Sequence, residues 1–189
     1  MLALAGLPSL PRVLAEAKSY SERLVAFERI QQLAEELAHE ALVKPAQNEG
    51  VTWEPAAVWH VLNEAEGYPY FLQQFGQGAW NAADGPAITL ADAKLGAAIG
   101  RNALDAGFFR ARWDRATKSE KRYLRAMAAD GDLGSPSGEV AFRLGRPINS
   151  LGPARANLIA KGLIYAPEHG IVAFMVPGMA RFIHEPPEA

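Results

Sequence analysis

The stretch "ANLIAKGLIYAPEHGIVAFMVP", from Ala156 to Pro177, decides the fold. An apolar helical run stops at Lys161-Gly162, and glycine suits the left-handed position just past a helix. Two short β-rich runs follow, over 163–165 and 171–176, parted by a Pro-Glu-His-Gly turn. Branched and aromatic residues on both sides of a glycine-containing turn predict a hairpin. Upstream, Ser150 is placed to cap the helix that ends at Lys161, after "RPIN". A short helix over 138–144 stops at Gly145, and "DGDLGSPSG" (130–138) reads as loop. Thr117-Lys118-Ser119-Glu120 is a capping box, in which Thr117 and Glu120 satisfy each other's free backbone N–H groups, and it opens a helix over 118–129. A short helix near 178–184 closes the chain before a frayed "EPPEA" tail.

Helix, short helix, turn, helix and hairpin is the order of a winged helix-turn-helix, with the hairpin as the wing. Val140, Ala141, Leu144 and Ile148 are expected to pack against Leu158 and Ile159.

The front of the chain reads differently. Residues 1–7 suggest the tail of a buried strand, then a short helix over 11–17 and a β-prone "LVAF" at 24–27. From Gln31 to Val43, Leu33, Leu37 and Ala41 recur at helical spacing, with Pro45 as the stop. Thr52 is expected to cap a helix through Ala65, with Pro55 in its tolerant first turn. A third helix over 68–83 puts Phe71, Leu72, Phe75 and Ala79 on one face. Thr89 caps a fourth through about Phe109, with Leu95, Ile99 and Leu104 inward. "GFFRARWDR" (107–115) is too apolar for a free linker, so Phe108, Phe109 and Trp113 are expected to dock two separately packed cores. The fold class is therefore mainly α with a small β-hairpin.

The net charge of -2 hides a split. Residues 1–109 carry 7 Lys and Arg against 13 Asp and Glu, and residues 110–189 carry 12 against 8. An acidic front and a basic back suggest two modules, with any polyanion-facing surface in the second. The chain has no cysteine, which excludes disulfides and thiolate chemistry and fits a cytoplasmic protein. No apolar run is long enough for a membrane span. No phosphate-cradling G-x-x-x-x-G-K-[ST] occurs. Gly76-Gln77-Gly78 reads as small residues on a packed helix, because Asn81 takes the third glycine position of a dinucleotide loop. His39-Glu40 begins H-E-x-x-H but Val43 ends it, and "GSPSG" puts Pro136 where a nucleophile would stand. No metal site and no self-sufficient active site follow, so the chain is not an enzyme on its own.

"LALAGLP", "AKSYSERLVAFERIQQLAEE" and "GVTWEPAAVWHVLNEAEGYPYFLQQFGQGAW" together resemble the second half of an AAA+ ATPase. With the winged helix, the whole chain is similar to the C-terminal part of origin-recognition-type AAA+ ATPases of bacteria and archaea. The resemblance implies a remnant of the ATPase core over 1–30, a helical lid over 31–109 and a winged helix over 110–189. It implies ATP and magnesium as ligands of the parent family, with none in this chain, whose sequence lacks the Walker segments. Arg23 in "SYSERL" matches the arginine-finger segment, a cation that acts on a neighbouring subunit's nucleotide. The alternative for Arg23 is a surface ion pair with Glu22 or Glu28. Tyr70 in "GYPY" occupies the usual sensor-2 arginine position, and a tyrosine supplies no permanent cation.

Two functions stay open. In the first, the winged helix binds duplex DNA weakly. Arg143 and Arg146 flank the turn, Asn149 and Ser150 stand at the start of the recognition helix, Arg155 and Lys161 lie on it, and His169 tips the wing. In the second, the module binds no DNA and works by contact with a partner protein, such as an upstream AAA+ core or a neighbouring subunit; Gly152-Pro153 leaves the recognition helix few reading side chains. Whether Arg143, Arg146, Arg155 and Lys161 form one exposed stripe separates the two.

Overall fold

The computed structural model describes residues 32–185 and, before them, Leu10, Leu14, Ala15, Val25 and Ala26. The expected core remnant over 1–30, and Arg23 with it, otherwise lies outside the described residues. Among the described residues the protein is mainly helical with two small sheets.

Helix α1 (Glu35–Asn48) runs past Pro45, the expected stop. The proline sits one turn from the end, and beyond it Glu49 and Val51 both donate backbone N–H groups to Ala46 O, at 3.0 and 2.9 Å. The buried face is Ala38, Leu42, Val43 and Ala46, one position on from the expected stripe, and Leu37 is exposed. Thr52 does not cap a helix. It pairs in β1 (Thr52–Trp53), parallel to β2 (Ala87–Ile88), where a branched side chain is at home. Helix α2 (Pro55–Ala65) starts after Glu54, whose carboxylate accepts the Leu90 N–H at 2.9 Å. That bond serves the first turn of the fourth helix, whose early N–H groups have no partner of their own.

Helix α3 (Pro69–Ala82) buries Phe71, Leu72, Phe75 and Ala79, as its sequence predicts. Helix α4 (Leu90–Ala103) carries a capping box of Thr89 and Asp92. Its inward face is Ala93, Gly96, Ala97 and Gly100, whereas Leu95 and Ile99 are 54% and 53% exposed. The cause is the crossing with α3. A Cβ on Gly96 would collide with the Ala79 backbone, and one on Gly78 with the Gly96 carbonyl. Backbones this close admit only the small stripe, so the large residues turn outward. Gly96→Ala is expected to cost about 2 kcal/mol by overpacking, read as a lower midpoint in urea unfolding at unchanged slope.

The helix then continues without a break. A π-helical turn (Leu104–Phe109) leads into α5 (Arg110–Asp114). Helix α6 (Lys118–Ala128) opens on the expected capping box, with Thr117 N–H on Glu120 at 2.7 Å. After it come β3 (Ser135–Pro136), α7 (Ser137–Arg143), a 3-10 turn (Ile148–Leu151), α8 (Gly152–Ala160), β4 (Ile164–Tyr165), β5 (Ile171–Phe174) and α9 (Met179–His184). The sheet order is β3-β5-β4, antiparallel throughout. Its third strand comes from "GSPSG", read above as loop. Two residues suffice because Ser135 is locked from the side, its hydroxyl donating to Met127 O at 3.0 Å. Ser150 lies inside the 3-10 turn and donates to Pro147 O at 2.8 Å, so it does not cap α8. Val140, Ala141 and Leu158 are buried as expected, while Ile148 is exposed.

The expectation of two separate cores is corrected. The buried residues form one cluster through both halves. Phe109 stands at the crossing, stacked on Phe182 at 5.5 Å and edge-on to Phe108 at 5.2 Å. Gly178, at φ 81°, lets the backbone pass against the Phe109 ring. Beside it Arg181 grips Asp105 with two bonds of 2.6 and 3.0 Å. Asp132 accepts the Gly178 and Ala180 N–H groups at 2.7 and 3.0 Å, which holds the start of α9. Trp113, expected to dock the halves, is half-buried and lies between Lys121 and Arg125 at 5.1 and 5.0 Å from its ring.

Candidate functional surface

The four cations of the expected stripe are not equivalent. Arg143, the last residue of α7, gives two bonds of 2.6 Å to Asp130 and a third, 2.8 Å, to Ala126 O. The pairing raises the guanidinium pKa and holds the Asp130 carboxyl below the usual range. Lys161 donates to Glu120 at 2.6 Å and to Arg115 O at 3.0 Å. Burial pushes the Glu120 carboxyl up, but the Lys161 ammonium and the Thr117 N–H and hydroxyl outweigh it, so the net shift is downward. The capping-box acid is thus also the partner of the last of the four cations expected to touch DNA.

Arg146 is exposed in the turn after α7, and Arg155 is half-buried on α8 near Tyr123. Asn149 and Ser150 are exposed in the 3-10 turn, and His169 is exposed in the turn between β4 and β5 beside Glu168. The structure therefore leaves two of the four cations available and commits two to ion pairs. Tyr70 lies in the first turn of α3 with its ring 5.3 Å from that of Phe108. It covers the aromatic joint and presents no cation.

The basic surplus lies elsewhere. Residues 110–125 hold seven Lys and Arg against two acids, and residues 126–189 hold five against six. On α6, Lys118, Arg122 and Arg125 share one exposed face, opposite the buried Tyr123, Leu124 and Met127. Arg115, just before the helix, is also exposed. The run "RARWDRATKSEKRYLR" carried the signal, visible once charge is counted in a narrower window than the half-chain.

Two clefts flank Trp53 in the front half. One, of about 320 Å³, lies between α1 and α3 and is lined by Leu42, Leu72, Gly76 and Trp80. The other, of about 790 Å³, lies between α1 and α2 and is lined by Val43, Val58 and Trp59, with Glu35, Glu36 and His39 at its rim. The buried Trp53 indole N–H has no acceptor among the described residues. Among those residues no three metal-ligating side chains come together, and no helix is long and apolar enough to cross a membrane.

The family described as a domain of unknown function (DUF8462) matches residues 106–183, from the π-helical turn to α9. No curated protein matches the chain.

Proposed function

We propose that this chain is the lid and winged-helix part of an AAA+-type ATPase, and that it works as an interaction and regulatory module. The observation that carries the choice is the split stripe. Arg143 and Lys161 are bound to Asp130 and Glu120. Freeing either for a phosphate would leave a carboxylate without its partner. The hairpin, three helices and third strand supply the winged helix, and Phe109, Asp105 and Arg181 fix it to the lid as one body. Such a body suits the passing of a change in the lid to a partner surface.

The second reading, weak duplex DNA binding, is favoured by the exposed Arg146 beside the turn and by Arg155 on α8. Fluorescence anisotropy with duplex DNA at low salt separates the two. The expected result is no binding at roughly tens of micromolar protein, the range of ordinary non-specific affinity. Binding that Arg146→Ala and Arg155→Ala each weaken on every sequence, with the salt slope reduced by about one, would install the DNA reading instead.

Nucleotide turnover belongs to the parent ATPase. The purified chain is expected to release no phosphate from ATP above background in a magnesium-containing assay. Turnover abolished by Arg23→Ala would contradict the proposal.

A further inference from the structure

We infer that the basic face of α6 is an interface for a second copy of this chain, and that it docks on the acidic, tryptophan-lined cleft between α1 and α2. The inference rests on the interaction-module reading and names its partner.

The two surfaces are complementary in both charge and shape of side chain. The cleft exposes Trp59 at 65%, a large apolar surface to leave in water, and Leu37 stands exposed on the adjoining helix. Glu35 and Glu36 at its rim have no cation within ion-pair distance among the described residues. On the other side, Lys118 and Arg122 have no carboxylate among the described residues, and Arg125 lies over Trp113. Lys118, Arg122 and Arg125 are four and three residues apart, which puts them in one row along a helix. Long basic side chains carry apolar stems, so they cover an exposed indole while their heads meet carboxylates.

The surfaces belong to different elements. Helix α1 packs on α2, α3 and β1, whereas α6 packs on α7, α8 and α9. A contact between two different patches is head-to-tail rather than two-fold, so each copy keeps one free donor and one free acceptor surface. Charge complementarity across exposed residues makes the contact salt-sensitive.

Sedimentation velocity of the whole chain tests this. At about 0.01 M salt, where charges act over about 30 Å, species larger than the monomer are expected to grow with concentration. At about 1 M salt, where the range falls to about 3 Å, the monomer is expected to return. K118E/R122E and E35K/E36K should each remain monomeric at low salt while keeping the circular dichroism of the parent. Each variant retains one intact patch, the cleft in K118E/R122E and the α6 face in E35K/E36K, so a mixture of the two can form the parent contact between unlike copies. The two altered patches are again opposite in charge, so the mixture is expected to associate at low salt, where neither variant does alone. A monomer at every concentration in low salt would overturn the inference, as would association unmoved by salt or by these substitutions. The second outcome would point to a two-fold contact through the exposed Phe142 and Leu133. DNA binding lost in Arg146→Ala and Arg155→Ala would instead remove the interaction-module reading, whatever sedimentation gives.

Discussion

Phe109→Ala is expected to lower the free energy of unfolding by about 3–5 kcal/mol, the range for deleting a fully buried phenyl ring. Phe109 is 1% exposed and touches the rings of Phe71, Phe108 and Phe182. Those partners come from α3, the π-helical turn and α9, so the cavity would open where the front and back halves meet. Neighbours held on both sides cannot collapse into it, which favours the upper part of the range. The expected unfolding curve does more than shift. Loss of the joint should let the halves unfold at different denaturant concentrations, seen as transitions that no longer coincide by circular dichroism and tryptophan fluorescence. A loss under about 1 kcal/mol with a single transition would mean that Phe109 carries no part of the joint.

Lys161→Ala is expected to cost about 3 kcal/mol, the low end of the range for breaking a buried ion pair, because Lys161 keeps 32% of its side chain exposed. The cost comes from Glu120, at 3% exposure, which would be left buried and ionised. Arg143→Ala removes the comparable bond to Asp130, a carboxylate far more exposed than Glu120, and about 1 kcal/mol is expected. The contribution of Glu120 has a definite pH sign. Its folded pKa is lowered, so its stabilisation is present above the unfolded value and is lost as pH falls through the folded one. The gap between wild type and Lys161→Ala should therefore be widest near neutrality and close in acid. A gap that stays constant with pH would place the role of Lys161 in packing alone. If Lys161→Ala is prepared to test DNA contact, its loss of fold must be separated from any loss of binding.

Some of this protein was written in short range. The Thr117 and Glu120 capping box, the inward face of α3 and the hairpin between Ile164 and Phe174 depend on residues a few places apart, and the structure has them as read. Their bonds are local, so local sequence suffices. Other features depended on what comes from afar. The face of α4 turned because Gly96 meets Gly78, and apolar periodicity cannot see that two backbones will touch. Thr52 joined a strand because Ala87 lies beside it, although its neighbours in sequence spell a helix cap. The basic residues of the back half were legible as residues, but not their employment. Arg143 meets Asp130 thirteen positions away and Lys161 meets Glu120 forty-one away. A cation's type is fixed by sequence, but its availability is fixed by which carboxylate the fold brings within about 3 Å, the reach of a charge-assisted hydrogen bond. Tertiary structure alone therefore divided the expected stripe, and left the free charge on α6.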